Sequence, residues 1–173
     1  YMSGVGGIGI AMIYIAKEGR TRVLNFSGHA PNAAKPEMYD HLNAETGPIS
    51  PLVPGNVSGW MTMHDTYGSL PLSRVMRDAI KYADEGIALT PFNADMVEEN
   101  LQRIDRFDTS QKAMIVERYG LSAGSVLRIP QLAETLSAIS EGGQKEFYEG
   151  ALGDRIQAGL AAAGGIIDRD ELA

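Results

Sequence analysis

There is no cysteine anywhere in this chain of 173 residues. Disulfide frameworks, thiolate nucleophiles and Cys-based zinc sites are thereby excluded, and the redox compartment is left open. Basic residues are also scarce: 15 Lys and Arg stand against 22 Asp and Glu, for a formal net charge of -7. An acidic surface repels nucleic acid and anionic membranes unless a basic patch is segregated on it, and no Lys/Arg cluster of that kind occurs. Neither a nucleic acid nor a membrane is therefore expected as a partner. Long apolar runs are missing too. The longest, IGIAMIYIA, falls far short of a membrane span, and no basic leader precedes it. These absences describe a soluble globular chain long enough to bury a core.

What is present begins with SGVGGIGIAMIYIAKEG, where Gly4, Gly6 and Gly9 have the spacing of a dinucleotide-binding turn. That motif needs a strand before the glycines, a helix after them, and an acidic residue about 20 positions on to hold the ribose. Here the glycines lead into an apolar, β-branched run, and the position in question falls by Phe26. The run is followed by the turn KEGR and a second run, TRVLNF, so the pattern predicts a β-hairpin whose first strand is buried on both faces. A nucleotide role is set aside. From Ser27 to Pro54 five prolines (Pro31, Pro36, Pro48, Pro51 and Pro54) break any regular element, which predicts a long irregular loop.

The remainder reads as helices. In LPLSRVMRDAIKYADEG the residues Leu72, Val75, Met76, Ala79, Ile80 and Ala83 recur at helical spacing, and Gly86 stands where a helix stops. Thr90 and Pro91 form an N-cap and first-turn pair opening FNADMVEENLQRI. TSQKAMIVERYG predicts a further helix. PQLAETLSAISEGG and GALGDRIQAGLAAAGG predict two more, each ending in a glycine pair. Asp168 with Glu171 three residues later makes a capping box. Because the chain stops just as that helix starts, it is expected to be a segment of a longer polypeptide, truncated at both ends. Within the single segment 1–173, the expected parts are a hairpin at about 8–27, a loop over 27–54 and a helical part over 55–173.

Candidate chemistry is sparse on the residues alone. Gly120-Leu121-Ser122-Ala123-Gly124 matches G-x-S-x-G, but a nucleophile elbow needs a strand running into the serine, and the helical stretch KAMIVERY precedes this one. Ser122 is read as a loop residue. His29, His41 and His64 have no metal-ligand spacing, so no metal is expected. His64 is placed on the outer face of its helix, and His29 is the best functional candidate because it directly succeeds a strand end. Asn56-Val57-Ser58 fits a glycosylation acceptor but lies at a helix start. Trp60, Met61 and Met63, and Tyr39, Tyr82, Tyr119 and Tyr148, are read as packing residues.

Several blocks, taken in order, resemble the large-subunit region of the gamma-glutamyltranspeptidase family of N-terminal nucleophile (Ntn) hydrolases. They are SGVGGIGIAMIYIAKEG, LNFSGHAP, the stretch from VPGNVSGW to ALTP, and the stretch from LRIPQLAETL to RDELA. The last two are specific: YG-LP, EG and TP succeed one another in the third, and PQLAETL, FYEG and AGGII..DEL in the fourth. The resemblance implies an α+β fold, the helix-rich large-subunit part of an αββα sandwich with an N-terminal β-hairpin. It also implies a self-cleaving precursor. The nucleophile would be the threonine freed at the start of a small subunit, a partner from the same precursor that lies outside this chain, so no catalytic residue is assigned here. The substrate would be a small-molecule amide or glutamyl compound, no cofactor is implied, and a higher oligomer is compatible. Acyl group, acceptor and compartment stay open, with cytoplasm favoured over periplasm or secretion.

One position in the resemblance bears on specificity. Transpeptidases of the family carry an arginine just after the second strand, in a pattern like D-F-R-E-x-A-P, which holds the α-carboxylate of a glutamyl substrate. The matching stretch here is NFSGHAP, so Ser27 stands where the arginine would be. The chain is similar in this to the arginine-less branch, with its cephalosporin-acylase-like proteins and amide hydrolases. Ser27, Gly28 and His29 are thus the expected border of the acyl pocket, with a protonated His29 able to replace part of the lost charge. Alternatively, Ser27-Gly28 is merely a turn. Two other readings stand beside this one: a true γ-glutamyl transferase whose arginine comes from Arg20 or Arg22, and a non-catalytic helical scaffold.

Overall fold

The computed structural model describes residues 4–107 and 122–173. The chain divides into two compact units, one made of Tyr1–Pro71 with Gly142–Ala173 and one of Leu72–Glu141. The predicted helix TSQKAMIVERYG, with Tyr119 and Gly120, lies outside the described residues.

The first unit opens with strands β1 (Gly9–Ile15) and β2 (Arg20–Phe26), antiparallel in a register running from Gly9 opposite Phe26 to Ile15 opposite Arg20. The hairpin is the one the sequence predicts. Its first strand is not buried on both faces, however: Ile10, Met12 and Tyr14 alternate along one face, with Met12 79% exposed. Strand side chains alternate between faces, and among the described residues the Gly9, Ala11, Ile13, Ile15 side is the more buried one. After the loop, with its short 3-10 turn at Pro36–Met38, comes helix α1 (Asn56–Tyr67). The Phe26 ring lies between Gly9 and Gly59, where a Cβ on either glycine would overlap it, so the hairpin sits directly on the helix.

The glycines of the opening motif have a definite task. The Gly7 carbonyl accepts the backbone N–H groups of both Gly55 and Asn56 at 3.0 Å, satisfying donors that a helix start otherwise leaves orphaned. Asn56, 2% exposed, donates its side-chain amide to the Gly4 carbonyl at 2.7 Å. Its burial also removes it as a glycosylation acceptor in the folded chain.

At the far end of α1, His64 is half-buried rather than turned outward: one ring nitrogen faces the Leu70 carbonyl at 2.9 Å and the other the Asp65 carboxylate at 3.3 Å. With an acceptor at each nitrogen, the doubly protonated ring is favoured. The Leu70 carbonyl, then Asp65, raises its pKa above the usual 6.5. A raised folded-state pKa contributes stability that is fully present below the unfolded value and lost as pH rises through the folded one. We therefore expect His64→Gln to lower the urea midpoint of the chain more at pH 5.5 than at pH 8.5. A pH-independent difference would refute this.

The second unit holds α2 (Leu72–Glu85), β3 (Ile87–Ala88), α3 (Pro91–Phe107) and β4 (Val126–Leu127). Helix α2 stops at Gly86 (φ 95), as expected, and the Thr90 hydroxyl caps α3 by accepting the Asn93 N–H at 3.2 Å. On α2, Met76 is buried, but Val75 and Tyr82 are more than half exposed. Tyr82 is therefore not the packing residue the sequence suggests. Strands β3 and β4 pair antiparallel, Ile87 with Leu127, a contact the sequence does not announce. Ser122 lies in a bend beside Ser125, hydroxyl to hydroxyl at 3.0 Å, and the stretch that leads into it lies outside the described residues.

Helix α4 (Pro130–Tyr148) runs through the glycine pair expected to end it. It breaks there, at Gly143 (φ 60, ψ -151), and the division between the units falls at the same pair. Helices α5 (Ala151–Ala162) and α6 (Arg169–Leu172) come next, the latter opened by the predicted capping box of Asp168 and Glu171. Val57, Phe147, Leu152, Ile167 and Leu172 form the core of the first unit. Among the described residues no helix is long and apolar enough to cross a membrane.

Candidate functional site

Strand β2 ends in a tight backbone turn. The Asn25 side-chain oxygen accepts the Ser27 N–H at 3.0 Å and also the Ser27 hydroxyl, an Asx-type arrangement that bends the chain directly after Phe26. Gly28 then takes φ 73, and a Cβ there would overlap the Val53 carbonyl oxygen. Only glycine fits. One residue on, the His29 carbonyl accepts the Val53 N–H at 3.0 Å, so the two ends of the loop are joined backbone to backbone.

Tyr148 closes the arrangement from the other side. Its hydroxyl donates to the Pro54 carbonyl at 2.8 Å and accepts the Ser58 N–H at 3.1 Å, tying the end of α4 to the start of α1. Burial pushes the Tyr148 phenol upward in pKa, against the Ser58 hydrogen bond. This tyrosine is a two-ended clasp, which is more than the packing role its sequence context suggests.

Between these parts lies a cavity of about 380 Å³, the lower end of the range typical for small-molecule sites. Gly28 and His29 line it, with Ser58, Gln144, Glu149 and Glu171 supplying polar groups. Ser27 stands one residue back, its hydroxyl turned to Asn25. The Glu171 carboxylate is already engaged, accepting the N–H groups of Asp168 at 3.0 Å and of Asn32. The side chains of His29, Ser58, Gln144 and Glu149 have no hydrogen-bond partner among the described residues. Among the described residues no Lys or Arg lines the cavity. Among the described residues, no three His, Asp or Glu side chains converge as a metal ion would require.

The two arginines that could replace a cation at Ser27 are elsewhere. Arg20 and Arg22 sit at the turn end of β2 and share Glu18, which Arg22 reaches at 2.7 Å. Arg22 is five residues from Ser27 along an extended strand, a separation of roughly 16 Å.

Of the sequence-derived candidates, Gly28 and His29 line this cavity and Ser27 does not; Ser58, Gln144, Glu149 and Glu171 line it without being singled out as site residues by the sequence. The usable signals are the helix start at GNVSGW and the FYEG stretch, which meet in space although Ser58 and Tyr148 lie 90 positions apart.

Comparison with known proteins bears on this arrangement as a whole. A family model described as gamma-glutamyltranspeptidase matches residues 1–173. Over 173 residues the chain is 34% identical to an oxamate amidohydrolase proenzyme of Klebsiella pneumoniae subsp. pneumoniae, covering 95% of this chain and 32% of that protein. Over 172 residues it is 29% identical to glutathione hydrolase 3 of Arabidopsis thaliana, covering 98% of this chain and 27% of the relative. The chain thus spans about a third or less of the length of these relatives. Among solved structures it superposes on the gamma-glutamyltranspeptidase of Helicobacter pylori with a TM-score of 0.88 and 31% identity, covering 97% of this chain and 50% of that one. The fold is accordingly α+β, helix-rich, begun by a hairpin, and shared with that enzyme.

Proposed function

Because the chain belongs to the gamma-glutamyltranspeptidase family, we propose that it is the large-subunit part of an Ntn amidohydrolase or acyltransferase, with Ser27, Gly28 and His29 bordering its acyl pocket. In such a reaction a threonine hydroxyl from the small subunit adds to an amide carbonyl and passes its proton to the threonine's own amino group. The amine then leaves with that proton, and water or a second amine resolves the ester. This chain's share is the wall that receives the acyl group. The observation carrying the reading is the cavity that opens beside the end of β2, where the family places its substrate arginine and this chain has Ser27.

The absence of a cation there favours an amide substrate other than a γ-glutamyl one. The open apolar face of β1, with Ile10, Met12 and Tyr14, supports the partner reading, since the small subunit of the same precursor would cover it. A larger oligomer is compatible with either.

The test uses the full precursor. We expect two bands on a denaturing gel, weak turnover of γ-glutamyl anilide, and a gain of about tenfold or more in that turnover for Ser27→Arg. An uncleaved precursor with no threonine at a processing junction would favour the non-catalytic scaffold. Strong native γ-glutamyl turnover with no gain in the variant would restore the true transferase.

A further inference from the structure

The polar groups of the cavity are unequal in a way that bears on which acyl group it accepts. Of its two carboxylates, Glu171 is spent on the capping box and the Asn32 N–H, whereas Glu149 has no partner among the described residues. Glu149 comes directly after the last residue of α4, and Gln144, also unpartnered, lies on that helix just after the break at Gly143. Arg169 does not line the cavity: it reaches Asp154 at 2.7 Å and the Tyr148 carbonyl. With Glu149 and Glu171 in its lining and no Lys or Arg among the described lining residues, the cavity wall carries an excess of acidic groups.

Resting on the acyl-pocket reading above, we infer that Glu149, assisted by Gln144, is a specificity-determining pair that selects acyl groups by charge. It admits a chain ending in an ammonium or a neutral amide donor and disfavours one ending in a carboxylate. An ammonium has three donors and no acceptor, which matches a free carboxylate and an amide oxygen lining the same cavity. A second carboxylate in the same cleft would meet like charge from Glu149 and Glu171. The carboxylate acts on the far end of the acyl chain and not on the scissile carbonyl, so its effect falls on KM before kcat.

Three 4-nitroanilides of matched length test this on the full, processed protein: 4-aminobutanoyl, glutaryl and the uncharged pentanoyl. We expect the wild type to prefer the 4-aminobutanoyl over the glutaryl compound. Glu149→Gln should shrink the ratio of their kcat/KM values about threefold, and Glu149→Lys about tenfold or more, chiefly through KM. Pentanoyl turnover, with no charge at the far end of the acyl chain, should change less than that of either charged compound. Glu134→Lys, an exposed change of the same charge on the other unit, should leave the ratio alone. If pentanoyl anilide is turned over but the ratio ignores Glu149, or tracks Glu134 equally, the charge-selection inference falls while the amidohydrolase reading stands. If the processed protein cleaves none of the three nor any small amide, the proposed function itself fails.

Discussion

Gly28→Ala should destabilise the first unit by about 3–5 kcal/mol, among the largest losses expected from a single methyl group. Two penalties combine. At φ 73 an L side chain is strained by about 1 kcal/mol, and the added Cβ would overlap the Val53 carbonyl oxygen, a backbone atom that cannot rotate away. Relief would separate residue 28 from residue 53 and open the bond between the His29 carbonyl and the Val53 N–H. Gly19→Ala provides the reference: its φ is 62, yet nothing lies within 4 Å of an added Cβ, so it should cost only about 1 kcal/mol. Urea unfolding of both variants measures the difference. Equal losses would mean that the contact with Val53 contributes nothing.

Phe147→Ala should cost about 3–5 kcal/mol. The ring is 1% exposed, and it sits beside the Tyr148 clasp that joins Pro54 and Ser58. Truncation leaves a void in the first unit and removes what steadies the end of α4. The measurable consequence is twofold: a lower urea midpoint, and faster amide exchange at Ser58 than at α1 positions further along the helix. A loss under 1 kcal/mol would show that the unit collapses to fill the space.

Local chemistry makes much of this fold legible in the sequence. The hairpin is announced by two apolar runs across KEGR, the start of α3 by Thr90-Pro91, the stop of α2 by Gly86 and the start of α6 by Asp168 and Glu171, because each is decided by residues within a turn of one another. The β3–β4 pair is not legible. Two-residue strands have no periodicity, and the partners lie about 40 positions apart. Gly142-Gly143 reads as a helix end and is in fact a break, since a glycine at positive φ can terminate a helix or kink it, and the packing of the next turn decides between the two. The exposed face of β1 misleads for a related reason: apolar residues on both faces record what a strand is suited to pack against, not what this chain alone supplies.

The site divides along the same line. Gly28 and His29, which line the cavity, fall in the block LNFSGHAP that the sequence singles out. Gln144, Glu149 and the engaged Glu171 are not legible, because individually they resemble any solvated helix face and acquire meaning only through contacts such as Asn32 with Glu171, 139 positions apart.

The backbone ties at the two ends of the loop, Val53 to His29 and the pair Gly55 and Asn56 to Gly7, have an evolutionary consequence. They fix the base of the loop independently of its middle. Because closing a flexible loop costs only about 0.6 kcal/mol more for each doubling of its length, the stretch around residues 40–47 is free to lengthen, shorten or change composition among relatives. Such drift would change the middle of the loop while Gly28, His29, Val53 and Gly55, which line the cavity, keep their places.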